Sequence, residues 1–138
     1  MKIIDSKTFP VAPISAAIVT VKPGGLRELH WHPNADEWQY YITGKGRMTV
    51  FVRATTARTI DFEEGDVGYV PISDPHYIEN TGDSDLVFIE MFKASEYQDV
   101  SLAEWMAHTP HLLVNQHLGV TTSMLDSIPK QETVVTPL

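Results

Sequence analysis

Residues 28–46 read "ELHWHPNADEWQYYITGKG", and three side chains that bind metals well, His30, His32 and Glu37, fall inside eight of them. On a strand successive side chains alternate faces, so His30 and His32 project together while Trp31 projects the other way. Glu37 opens the next strand after a Pro33-Asn34 turn, and a hairpin there folds its carboxylate back toward the two imidazoles. A fourth donor, His76, follows the turn in "VPISDPHYIEN". Three imidazoles and one carboxylate leave two positions free on a six-coordinate divalent ion, the arrangement of an open catalytic site. A lone strand histidine is usually a core or surface residue, and HxH by itself is a weak signal. HxH with a glutamate at this offset and a later histidine after a proline-containing turn is far more specific.

The elements that must carry these ligands are strands. From about residue 14 to 92 short β-rich runs alternate with turn residues: "ISAAIVTV", "RELHWH", "EWQYYI", "RMTVFV", "ARTIDF", "DVGYVP", "HYIEN" and "LVFIEMF". Such spacing predicts an all-β sandwich or barrel. Beyond residue 100 the texture becomes helical. "SLAEWMAHTP" opens on Ser101 as an N-cap with Glu104 three residues on, and stops at Pro110. "HLLVNQHLGV" and "TSMLDSIP" read as two further helical turns, so a small helical appendage spans about 101–128. The tail "KQETVVTPL" reads as a final edge strand or as frayed chain. All 138 residues are read as one domain.

Composition narrows the partners. A net charge of −8 excludes an extended nucleic-acid or anionic-membrane surface, while leaving room for a local positive pocket. With no cysteine there is neither disulfide nor thiolate ligation. The opening "MKIIDSKTFP" lacks the apolar run of a signal peptide, so a cytoplasmic location is the default, although a domain separated from a longer secreted chain would look the same.

Gly24, His30, His32, Glu37 and Gly44 match the first cupin motif, and Gly65, Pro71, His76 and Asn80 match the second. Ser73 stands where the second motif prefers glycine. The chain thus resembles the cupins over nearly its whole length, which implies a jelly-roll β-barrel enclosing a metal. Within that superfamily "RELHWHPNADEWQYYITGKGRMTVF", "GDVGYVP", "HYIENTGD" and "LVFIEMFK" look like one domain, most like the second, of the two-domain oxalate decarboxylases. The resemblance implies Mn2+ on His30, His32, Glu37 and His76, with dioxygen as co-reactant and oxalate cleaved to formate and carbon dioxide. Oxygen and nitrogen ligands without thiolate suit Mn(II), and Fe, Co, Ni or Zn also fit. In the two-domain enzymes a flexible lid with a glutamate in the first domain is tied to decarboxylation; nothing in this sequence resembles it, so weak or oxidase-like turnover is also expected. The family further implies homodimers or larger homo-oligomers.

Two more residues draw attention. Glu90 is a single carboxylate in the apolar run "LVFIEMF", either an acid with a raised pKa or a structural glutamate satisfied by an internal hydrogen bond. The resemblance makes it a proton donor or acceptor near the metal. Arg27 is the natural bidentate partner of a carboxylate, yet strict alternation gives it the parity of Leu29 and Trp31, opposite to the histidines. From the residues alone it is a surface arginine. The resemblance places it in the pocket, which requires a bulge or twist that Gly24-Gly25 permits. Tyr97 either covers the barrel mouth or packs. His108, His111 and His117 read as solvated or capping residues, with a second cluster as the alternative. In "EWQYYI" the reading assigns Trp38, Tyr40 and Ile42 to the core and Gln39 and Tyr41 to the cavity. The competing function is a non-catalytic metal-binding module in a homo-oligomer; a sugar- or effector-binding cupin is a third.

Overall fold

The computed structural model describes residues 1–10, 13–53 and 55–137. Eight principal strands follow the turn punctuation of the sequence: β2 (Ser15–Val21), β3 (Gly25–Trp31), β4 (Glu37–Thr43), β5 (Gly46–Arg53), β6 (Thr56–Phe62), β7 (Val67–Val70), β8 (His76–Asn80) and β9 (Leu86–Phe92). Three short strands join them: β1 (Lys2–Ile4), β10 (Val100–Ser101) and β11 (Val135–Pro137). One antiparallel sheet runs β1-β2-β9-β4-β7, and the other runs β3-β8-β5-β6 with β10 and β11 both on the free edge of β3. Consecutive strands mostly switch sheets, which gives the expected jelly roll. The tail forms an edge strand, one of its two expected readings, while β1 has no counterpart in the sequence reading.

The sheets pack face to face over Val19, Val21, Tyr41, Met48, Ile78 and Phe88, with Tyr41 stacked on Phe62 at 4.5 Å. The expectation for "EWQYYI" is half corrected. Gln39 and Tyr41 are buried, but Trp38, Tyr40 and Ile42 are exposed and not core. Period-two alternation allows no other outcome once Glu37 points inward. Trp38 pairs instead with Tyr69 on the outer surface, ring centroids 5.0 Å apart.

The helices are α1 (Leu102–His108), α2 (His111–Leu118) and α3 (Thr122–Asp126). Ser101 caps α1, its Oγ accepting from the Glu104 N–H at 3.2 Å. The helical histidines do not converge: His108 Nε2 meets the Lys130 carbonyl at 3.0 Å and His111 meets Asp126 at 3.2 Å.

The turn before β8 explains the departure at Ser73. This residue holds φ +66°, a left-handed backbone that favours glycine, and its N–H donates to the His32 carbonyl at 2.9 Å. The turn keeps the shape a glycine would give, at the cost of strain, and still delivers His76. Replacing Ser73 by Gly should therefore stabilise the fold by about 0.5–1 kcal/mol, the left-handed penalty less the extra chain entropy of glycine. Urea unfolding of the metal-free protein checks this, and a loss of stability would contradict the strain argument.

Candidate metal centre

β3 supplies His30 and leads into His32, β4 opens on Glu37, and β8 opens on His76. The strands bring one ligand atom from each of the four within 4.8 Å of one another, the spread expected around an ion bound at roughly 2.0–2.4 Å. All four residues are at most 2% exposed. Each imidazole has its Nδ1 against a backbone carbonyl: His30 on Glu28 O at 2.7 Å, His32 on Gln98 O at 2.8 Å, and His76 on Asp74 O at 3.0 Å. Those contacts require Nδ1–H, which leaves the neutral ring with its lone pair on Nε2.

The three Nε2 atoms and Glu37 Oε2 are buried without a hydrogen-bond partner. Glu37 Oε2 lies 3.3 Å from His32 Nε2 and 2.9 Å from His76 Nε2, so lone pairs face a carboxylate unless a cation or protons intervene. The donor set fits a divalent ion. Without an ion, protons take its place. Burial opposes the charge on His32, but Glu37 more than offsets this and raises its pKa. Burial likewise pushes Glu37 up, yet His76 and His32 hold it well below the usual carboxylate range. His30 is pushed well down by burial and by the positive Arg27.

Glu37 is itself held. Gln39 Nε2 donates to its Oε1 at 2.6 Å, and the Tyr41 hydroxyl donates to Gln39 Oε1 at 2.8 Å. Gly68 on neighbouring β7 makes room for this chain, because a Cβ there would sit 2.7 Å from Gln39 Oε1.

Arg27 is fully buried, as the family resemblance implied and alternation opposed. Arg27 and His30 are three residues apart, yet their partners Ile78 and His76 are two apart, so β3 carries one extra residue between them. This bulge lies after Arg27, not at Gly24-Gly25, and it turns both Arg27 and Glu28 inward. The guanidinium donates to Asp99 Oδ2 at 2.7 Å and to the Tyr97 hydroxyl at 3.0 Å. Glu28, Glu90 and Glu132 approach it at 3.6, 3.7 and 4.0 Å. One buried cation thus faces four carboxyl groups, which cannot all ionise in a low-dielectric site. Burial, then Glu37, push Glu90 up to about 7; burial and the neighbouring Asp99 push Glu132 up to about 8. Asp99, against Arg27, is held below its ordinary value despite burial.

The structure therefore gathers the six residues given site roles from sequence, joins Gln39 and Tyr97 to them, and adds Asp99, Glu28 and Glu132. Gln39 was legible from strand parity and Tyr97 from its place at the barrel mouth. Asp99 and Glu132 lie in irregular chain, where no periodicity marks an inward side chain.

The sequence profile described as Cupin matches residues 1–126. The chain belongs to the cupin family. This cupin is 52% identical over 131 residues to the oxalate decarboxylase OxdC of Bacillus subtilis (strain 168), covering 94% of this chain and 34% of that protein. It is 46% identical over 134 residues to an oxalate decarboxylase of Arthroderma benhamiae (strain ATCC MYA-4681 / CBS 112371), covering 96% of this chain and 32% of that one. A solved structure from work on the Mn(II) centres of Bacillus subtilis oxalate decarboxylase superposes with TM-score 0.96 at 50% identity, over 99% of this chain and 36% of that one. The chain spans about a third of the length of the relatives it matches.

One divalent ion per chain is expected by metal analysis, and His76→Ala should abolish it. Because the ion must displace protons from imidazole, affinity should fall as pH drops through the His32 titration. At about 100 times the dissociation constant, the ion should stabilise folding by roughly 2.7 kcal/mol, read as a shift in the unfolding midpoint. Stoichiometric binding by His76→Ala would refute the four-residue site.

Proposed function

We propose that this cupin is a manganese-dependent enzyme that cleaves oxalate to formate and carbon dioxide, with dioxygen as co-reactant. The observation that carries the reading is a buried acid, Glu90, and a buried guanidinium, Arg27, beside four unpartnered ligand atoms, in a chain 52% identical to an oxalate decarboxylase. Bound manganese would supply Lewis-acid and one-electron chemistry at the oxalate. Arg27 binds the far carboxylate through its planar fork and fixes its orientation. Ligands and Arg27 alike are shut away from water, which strengthens both contacts.

The net conversion takes one oxalate dianion and one proton to formate and carbon dioxide. The proton must arrive at the carbon left behind when the C–C bond breaks. Glu90, with a pKa near 7, holds that proton in neutral or mildly acidic solution and is positioned to give it up. The acid form predominates below about 7, so turnover should decline as pH rises through that value. Glu90→Gln keeps the shape and removes the proton, so oxalate turnover should fall roughly 10²-fold or more while fold and metal content survive. Formate and peroxide measured separately distinguish decarboxylation from oxidase-like turnover. Undiminished turnover in metal-replete Glu90→Gln would remove the role, and loss of folding would make Glu90 a structural acid.

A second reading, a metal-binding module in a homo-oligomer without turnover, is favoured by the outer surface. An apolar cleft of about 650 Å³ lies between β3, β5 and α1, bounded by Leu29, Phe51, Val52 and Trp105, and Trp31 meets Trp105 edge-on at 6.0 Å. Exposed apolar area of this kind suits a two-fold contact between copies. Light scattering at micromolar concentration should give a dimer or larger assembly; a monomer would count against it. Oxalate turnover by the manganese-loaded protein decides between the readings.

A further inference from the structure

Arg27, Glu90 and the ligand set are sealed from solvent, so an anion reaches them only if part of the wall moves. On the Arg27 side the wall is the span of residues 131–134, which is irregular and lies outside the β11 ladder. It is pinned at both ends. The Lys130 carbonyl meets His108 Nε2, and Val135 packs against the core. Between the pins the hold is slight. Among the described residues, its backbone contacts to the barrel converge on Val134 O, which accepts from the Glu28 N–H at 3.1 Å and from Arg27 Nη1 at 3.4 Å. Beside this span an open surface groove of about 460 Å³ runs between Leu26, Leu29 and Met106 on one side and Pro129, Gln131 and Thr133 on the other.

Two nitrogens of Arg27 are poorly satisfied: Nε, 3.7 Å from Glu90, has no hydrogen-bond partner, and Nη1 is only loosely held. Nη2 makes contacts of 2.7 and 3.0 Å, whereas Nη1 meets only Val134 O at 3.4 Å, Glu28 at 3.6 Å and Glu132 at 4.0 Å. Glu132 Oε1 is itself buried without a hydrogen-bond partner. An outside carboxylate at normal hydrogen-bond distance would serve Nη1 better than any of these three. We propose that residues 131–134 form a displaceable cover over the site, and that an incoming small carboxylate takes over the Arg27 Nη1 edge that Val134 O and Glu132 hold. This rests on the reading of Arg27 as the carboxylate anchor.

Charge around Glu132 gives the cover a pH dependence. In the closed state its carboxyl faces Arg27 and Glu28 of β3 and Asp99 of the loop after β9. Glu90 and Tyr97 lie on the far side of the guanidinium, and His108 of α1 sits at the Lys130 pin. Burial and Asp99 make the closed form keep a proton up to a pH of about 8, whereas a released glutamate loses it near its ordinary value of 4.5. Closure therefore takes up a proton between those values, and each unit rise in pH inside that window weakens it by up to tenfold.

Hydrogen exchange on the manganese-loaded full chain tests this at the Glu28 amide, whose acceptor is Val134 O. After correction for intrinsic exchange rates, Glu28 should lose protection between pH 6 and 8 while the amides of β5 and β8 do not. Glu132→Gln, which cannot ionise, should flatten that pH response and keep the fold. Oxalate added at pH 6 should speed Glu28 exchange selectively. If Glu28 exchanges in step with β5 and β8 at every pH, these residues are fixed wall and the proposal fails. If Glu28 opens with pH but oxalate leaves it unchanged, the displacement is wrong. Because none of these readings needs turnover, a chain that opens to oxalate but does not cleave it would contradict the proposed activity and leave the cover standing.

Discussion

Three Nδ1–H···O=C bonds set the chemistry of this molecule. An imidazole on a strand is free to rotate and to exchange its proton between nitrogens. Here the carbonyls of Glu28, Gln98 and Asp74 remove both freedoms, and three Nε2 lone pairs converge on one buried carboxylate. Two of the carbonyls lie two residues from the histidine they hold, in β3 and in the turn before β8. The third comes from the loop after β9, so closing that loop completes the ligand set. The same loop carries Tyr97 and Asp99 to Arg27. It is anchored in turn by the first residues of the chain: Asp5 is buried, its Oδ2 accepts from the Tyr97 N–H at 3.4 Å, and the Ser6 N–H donates to the Ser95 carbonyl at 2.6 Å. Strand β1, with no catalytic side chain of its own, thereby acts on the position of the site.

The second constraint is charge. A buried guanidinium is tolerable only with acids around it, and four are more than it can neutralise. The surplus is resolved by protons retained on Glu90 and Glu132, on opposite sides of Arg27, while Asp99 stays ionised against it. The crowding around the guanidinium thus also creates acids beside it that keep their protons up to near-neutral pH. Removing any one acid would redistribute protons among the rest, so their effects will not add.

The sequence made the strands, helices and ligands legible because each rests on a local rule: period two, turn residues, an N-cap serine, HxH spacing. It failed where geometry departs from the rule. Arg27 has the wrong parity until a bulge adds a residue between it and His30, and no residue type announces that bulge. Ser73 looked like a departure from the family pattern, but a serine held at φ +66° preserves the turn. Trp38, Tyr40 and Ile42 looked like core because they are large and apolar. Their outward direction was already implied by the inward Glu37, from which they stand one, three and five residues away, all odd steps of the alternation. Asp99 and Glu132 depend on how two irregular segments cross the barrel mouth, which no spacing encodes.

The inward ladders also separate stability from chemistry along the barrel. In the β4–β9 pairing Tyr41 lies opposite Phe88, Gln39 opposite Glu90 and Glu37 opposite Phe92. On β8 the inward residues pass from Ile78 to His76, and the apolar end holds Val19, Val21, Met48 and Leu86 as well. One end of the barrel buries mainly apolar surface, with the buried Asn80 amide satisfied by the Val21 and Ser84 carbonyls, and supplies the hydrophobic stabilisation. The other end gathers ionisable groups whose burial opposes folding. The hydrogen-bonded chain Tyr41–Gln39–Glu37 crosses the boundary, so the packed end orients a ligand at the polar end. A ligand held from the core can remain in place while the opposite wall, built of short and loosely tied chain, changes position. Rigidity at one end and access at the other are compatible because they are carried by different residues.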